Sequence, residues 1–122
     1  MSDELLFEEV EFFELQYLIT DRFYYEVSLN DRTYGQAAGI CYQSFYEHIV
    51  SNNINTIITI SLIIRLMIRH DVEISKSDID DMKRVILLSQ EINYEEVLNE
   101  NQIEYLEEFI GEIKRKYEKL TR

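Results

Sequence analysis

The stretch DRTYGQAAGICYQSFYEH, residues 31–48, holds the only cysteine of the chain (Cys41), one of its two histidines (His48) and two of its three glycines (Gly35, Gly39). A thiolate nucleophile needs a base within hydrogen-bond reach. Cys41 and His48 stand seven residues apart, which on one helix separates them by two turns, roughly 10 Å. A phosphate cradle needs a glycine-rich frame, but TYGQAAG lacks both the Gly-Lys-Ser/Thr ending of a P-loop and the full Gly-x-Gly-x-x-Gly pattern. Cys41 therefore reads as a small core hydrophobe. Gly35, Ala38 and Gly39 read as a shallow seam along which a second helix can approach. Each interior glycine costs about 0.5–1 kcal/mol relative to alanine, which close packing must return. Tyr34, Ala38, Cys41, Phe45 and Ile49 would form the core stripe of this helix, with Gly35, Gly39, Tyr42 and Tyr46 beside it.

No metal or cofactor is expected. His48 and His70 have no histidine or cysteine four residues away, and no His-Glu-x-x-His occurs. The DIDD run from Asp78 has Lys83 where a calcium loop needs glycine and Ser89 where it needs glutamate. Its aspartates suit the positive start of a helix instead. Paired carboxylates are abundant, and none stands alone in an apolar context where desolvation would raise its pKa toward catalytic use. An enzyme is the function class least favoured by these residues.

The elements that carry these side chains read as helices. Proline is absent, and a chain of 122 residues is expected to form one domain, residues 1–122. From Glu4 to about Thr20 two apolar stripes run at helical spacing: Leu6, Val10, Phe13, Tyr17 and Leu5, Phe12, Leu15, Ile19. Two stripes exceed what a surface helix needs. Either the helix is wedged between neighbours or one stripe waits for a partner. DRFYYEVSLNDR then either prolongs this helix or forms an irregular aromatic segment, with a turn at Asn30-Asp31. Helix two is expected from Thr33 to about Ser51, capped by Asp31 or Thr33. NTIITISLIIRLMIRH has β-branched content that also suits a strand, but its nearly all-round apolar wheel favours a central helix. Only Asn55, Thr59, Arg69 and His70 fall on its polar side. SKSDIDDMKRVILLSQ starts at Ser75 or Ser77, with Ile79, Met82, Ile86 and Ser89 inward. NYEEVLNE is a connection with room for one helical turn. Ile103, Leu106, Ile110, Ile113, Tyr117 and Leu120 mark a last amphipathic helix, with acids early and bases late as the helix dipole prefers. The expected fold is all-α, a compact bundle of about five helices around a central apolar one.

Charge narrows the partners. The net charge is −12. Residues 1–30 alone hold eight acids against Arg22. Such a field repels nucleic acid and anionic membranes and attracts basic proteins. The longest apolar stretch is interrupted by Thr59, Ser61, Arg65 and Arg69, short of the roughly 20 residues of a membrane span. One cysteine and an acidic start without a signal-peptide pattern lead to the expectation of a cytoplasmic protein. The nine tyrosines and six phenylalanines sit largely beside acids, as in FEEVEFFE, DRFYYE, NYEE and EYLEEF. Tyrosine gives large contact area at low entropy cost, and carboxylates around it steer and pair with Lys and Arg. Glu8, Glu9, Glu11, Glu14, Tyr17, Tyr24 and Tyr25 are the candidate partner-binding residues.

The layout resembles the third numbered immunity family of bacterial polymorphic toxin systems. The resemblance is carried by the acidic aromatic first helix and by TYGQAAGICYQSFYE, which is similar to the family's Ser/Thr-Tyr-x-x-Ala helix start. INTIITISLII and the helix opening NQIEYLEEFI continue the pattern. The chain departs from it at Gly39 and Ile40, where polar or basic residues would stand, and in having no tryptophan near its start. The resemblance implies a helical cytosolic protein that binds and neutralises a cognate protein toxin; it carries over no contact residue. Two other classes fit the same residues: an inhibitor that mimics nucleic acid with its acidic face, and an oligomerisation or adaptor domain, possible as a homodimer, with the glycine patch as its seam.

Overall fold

The computed structural model describes the backbone of residues 2–122 and the side chains of residues 12–122. Six α-helices follow in order: α1 (Ser2–Leu29), α2 (Tyr34–Ser44), α3 (Tyr46–Val50), α4 (Ile54–Arg69), α5 (Lys76–Glu91) and α6 (Glu100–Leu120), with one 3-10 turn at Tyr94–Glu96 before the last. No strand occurs among the described residues. The fold is thus an all-α bundle, and every other α-helix touches α4.

Local chemistry sets the helix ends. Thr33 with Gln36, Asn53 with Thr56, Ser75 with Asp78 and Asn99 with Gln102 each form a reciprocal capping box at the starts of α2, α4, α5 and α6. In each, two otherwise orphaned N–H groups gain an acceptor. Asp31, Asn52 and Asp71 follow α1, α3 and α4 with φ of 52°, 54° and 54°. Short polar side chains tolerate this left-handed region, so three helices stop without a glycine. The Arg32 N–H closes the first of these caps on the Glu26 carbonyl at 3.0 Å. The segment DRFYYEVSL prolongs α1 and adds Phe23 to its buried stripe.

The single helix expected over residues 33–51 is two. The chain bends at Phe45 (φ −112°, ψ 26°) without a glycine or proline. Beyond the bend Ile49 turns into the core, and Arg84 of α5 donates to the Ile49 carbonyl at 2.6 Å, holding the end of α3.

Every side chain of α4 from Thr56 to Ile64 is buried. Thr59, assigned to a polar side by the wheel, is among them, because neighbours surround this helix on all sides. α1 packs through Phe12, Leu15, Ile19 and Phe23, α2 through Ala37, Ala38 and Cys41, and α5 through Met82, Val85 and Ser89. α6 contributes Leu106, Phe109, Ile110 and Ile113; its expected inner residue Leu120 is exposed instead, because it lies at the last turn beyond the core.

The glycine seam is not where α2 packs. Alanines make its close approach, and Gly39 faces outward, with no atom within 4 Å of where its β-carbon would stand. Gly35 is also exposed, with Val72 Cγ1 3.6 Å from that point. Gly39→Ala is therefore expected to stabilise the chain by roughly 0.5–1 kcal/mol, through restored helix propensity and a less flexible unfolded chain. Urea unfolding checks this; a loss of stability would show that the glycine serves a contact.

Candidate protein-binding site

Leu5, Leu6 and Val10 lie outside the described side chains; from residue 12 onward the two stripes of α1 have different fates. Phe12, Leu15, Ile19 and Phe23 are buried, and Glu14, Phe13, Tyr17, Leu18 and Tyr25 remain exposed. Tyr17 is 67% exposed and Phe13 46%. This face crosses to α6 where Phe13 meets Tyr105 edge-on, with ring centroids 6.5 Å apart. Phe13, Asn101, Glu104, Tyr105 and Glu108 line an open groove of about 590 Å³ there. Exposed aromatic surface flanked by carboxylates can receive the alkyl stems and charged heads of Lys and Arg.

Of the seven residues expected to bind a partner, Glu14, Tyr17 and Tyr25 lie on this exposed face. The side chains of Glu8, Glu9 and Glu11 lie outside the described residues. Tyr24 is set apart from it. It is half-buried, and its hydroxyl shares a hydrogen bond with His70 Nε2 at 2.8 Å. His70 in turn stacks on Tyr34 at 4.0 Å, and both rings flank Phe23. These four rings tie the end of α1 to the start of α2 and the end of α4.

Glu26 escaped the sequence reading. It is 3% exposed, yet its carboxylate pairs with Arg22 at 3.1 Å and Arg32 at 3.9 Å and accepts from Asn30 Nδ2 at 2.9 Å. Burying a charge is costly unless it is paired and hydrogen-bonded, and these three partners meet that need. Phe13, Glu104, Tyr105 and Glu108 also went unassigned. EYLEEF signals the pattern, but the meeting of α1 with α6 is tertiary.

The thiol and the histidine of residues 31–48 do not meet. Cys41 is fully buried, with Sγ 3.8 Å from the Ile19 carbonyl oxygen. His48 lies on α3 and borders a small hollow with Glu14 and Leu18. Burial pushes the Cys41 thiol from 9.0 up to about 11, against the opposing charge of Arg22. Burial, reinforced by the Asp81 and Asp78 charges, also holds the Tyr42 phenol far above its usual range, and its hydroxyl is buried with no hydrogen-bond partner. Both groups stay neutral in the folded chain while the unfolded chain releases their protons near pH 9 and 10. Stability is thus complete below about pH 9 and is lost as pH rises toward 11, by on the order of 2 kcal/mol through Cys41. Urea unfolding between about pH 7.5 and about pH 10.5 tests this. Tyr42→Phe should raise stability by about 1 kcal/mol at neutral pH, since it removes an unsatisfied hydroxyl, and should lessen the alkaline loss.

Among the described residues no group of three or more His, Cys, Asp or Glu is placed to hold a metal ion. Nor is any described helix long and apolar enough to cross a membrane. Comparison with protein-family models, with curated proteins and with solved structures returns no match. The uncovered acid–aromatic face of α1 and α6 is the feature from which a function can be argued.

Proposed function

We propose that the chain is an inhibitory binding protein of the immunity type. It acts in the cytosol by covering a basic region of a protein toxin with its acid–aromatic face. The observation that carries this reading is the uncovered stripe of α1. Phe13 and Tyr17 keep helical spacing with the buried set yet remain exposed, and they continue into Tyr105 between Glu104 and Glu108. Aromatic residues on a rigid helical face anchor interfaces well, and surrounding carboxylates speed and orient encounter with a cationic partner. The resemblance to the third numbered immunity family supports the same role. Tyr24, engaged with His70, serves the packing in this reading, while Glu14, Tyr17 and Tyr25 belong to the interface.

The test is coexpression with the product of the neighbouring reading frame. A stable complex that abolishes that product's toxicity is expected, and it should weaken with Tyr17→Ala and Phe13→Ala. A toxic neighbour left uninhibited and unbound would refute the reading.

A further inference from the structure

The densest positive charge lies elsewhere, where α4 and α6 end side by side. Arg65 pairs with Glu112 at 3.3 Å, and about a turn further on Arg69 shares a groove with Arg115, Lys116, Lys119 and Arg122. The two helices therefore run the same way, and the groove opens between their C-terminal ends. Its volume of about 590 Å³ falls within the range of small-molecule sites. Six of the chain's twelve cationic side chains line it, against Glu112 and Glu118. The groove so holds four positive charges net in a chain of −12, and the remainder of the chain carries −16.

Bases at helix C-termini have an ordinary explanation, since each such end carries roughly half a negative charge. Two ends account for about one unit and leave roughly three positive charges without that role. Arg65 is pre-positioned: its guanidinium lies 4.5 Å over the Phe109 ring while its Nε holds Glu112. Arg115 folds back along α6 toward Gly111, with Nη1 3.4 Å from where a β-carbon on that glycine would stand. Among the described residues no ion pair engages Arg69, Arg115, Lys116, Lys119 or Arg122.

We infer that this groove binds a compact ligand bearing clustered phosphate groups. Four of its six cations are arginines, whose planar forks take phosphate oxygens in pairs. The charge distribution selects for size. Within a screening length of about 8 Å a small ligand or a protruding headgroup feels the groove, whereas a polyanionic chain or an acidic protein that extends past it runs onto the negative remainder and is repelled. The recognised chemistry is the same in a free polyphosphorylated compound and in a phosphoinositide headgroup.

Isothermal titration at about 0.15 M salt with ATP and with inositol hexakisphosphate tests the site. Both should bind, and Arg69→Gln and Arg115→Gln should each weaken binding about tenfold or more. Lys83→Gln, on α5 and outside the groove, should leave binding unchanged, and circular dichroism confirms that each variant stays helical. Sedimentation with phosphoinositide vesicles, competed by the soluble headgroup, would support the bilayer source. Binding of the soluble compounds without sedimentation would support the free one. Absence of binding at millimolar ligand, equal loss in Lys83→Gln, or tighter binding of a single-stranded oligonucleotide or polyglutamate would overturn the inference.

Discussion

Phe23→Ala should cost about 3–5 kcal/mol of folding stability, the range for a buried ring cut back to a methyl group. Phe23 is fully buried. It meets Tyr24 edge-on with centroids 5.2 Å apart and lies at 5.9 Å from Tyr34 and 5.8 Å from His70. These contacts come from α1 itself, from the first residue of α2 and from the residue that caps α4, and a close-packed junction of this kind cannot close the void by moving one side chain. Domains of this size hold only about 5–15 kcal/mol in reserve, so a fall in melting temperature of roughly 10–20 °C is expected. Calorimetry checks it. Tyr24→Phe, which keeps the ring and removes the hydrogen bond to His70, should cost about 1 kcal/mol. Equal losses from the two changes would mean that the hydroxyl, not the packed ring, organises this junction.

Truncating the uncovered aromatics should leave the fold intact and remove the partner. Phe13→Ala, Tyr17→Ala and Tyr105→Ala should each weaken binding by about 2 kcal/mol, or roughly thirtyfold, as aromatic anchors at an interface centre do. Their solvent exposure argues that the free chain loses little on truncation, since surface changes usually stay within about 0.5 kcal/mol. Phe13 and Tyr105 touch each other, so their double variant should lose less than the sum of the singles. Surface plasmon resonance against the partner measures this. Three variants that unfold the chain, or three that bind as the parent does, would remove the aromatic face from the account.

The all-helical class, the central place of α4 and the amphipathic pattern of α6 were legible because long periodic patterns and capping residues are local signals. Thr33 and Ser75, each one of two candidates in the sequence, are the caps of α2 and α5. The bend at Phe45 was not legible, since no proline or glycine marks it and Ile49 falls on the core stripe of a straight helix as well as of a bent one. Gly39 misled for a related reason. A small residue reads the same on a packed face and on an open one, and the neighbouring alanines occupied the packed one. The two stripes of α1 posed the question of an unfilled partner, but which stripe was free depended on α4 and α2 covering Phe12, Ile19 and Phe23. The cationic groove was hidden because Arg65 and Arg69 lie some fifty residues from Arg115 and Arg122, and helix-dipole logic accounted for the bases of α6 on their own.

The central claim, that the acid–aromatic face captures a basic protein, is tested most directly by the association rate with that partner as salt rises from about 0.05 to about 0.5 M. The rate should fall about tenfold or more, as electrostatically steered encounters do. In the Glu14→Lys, Glu104→Lys, Glu108→Lys variant it should start low and lose most of its salt dependence. A rate indifferent to salt, or a triple variant that associates and neutralises as the parent does, would contradict the account.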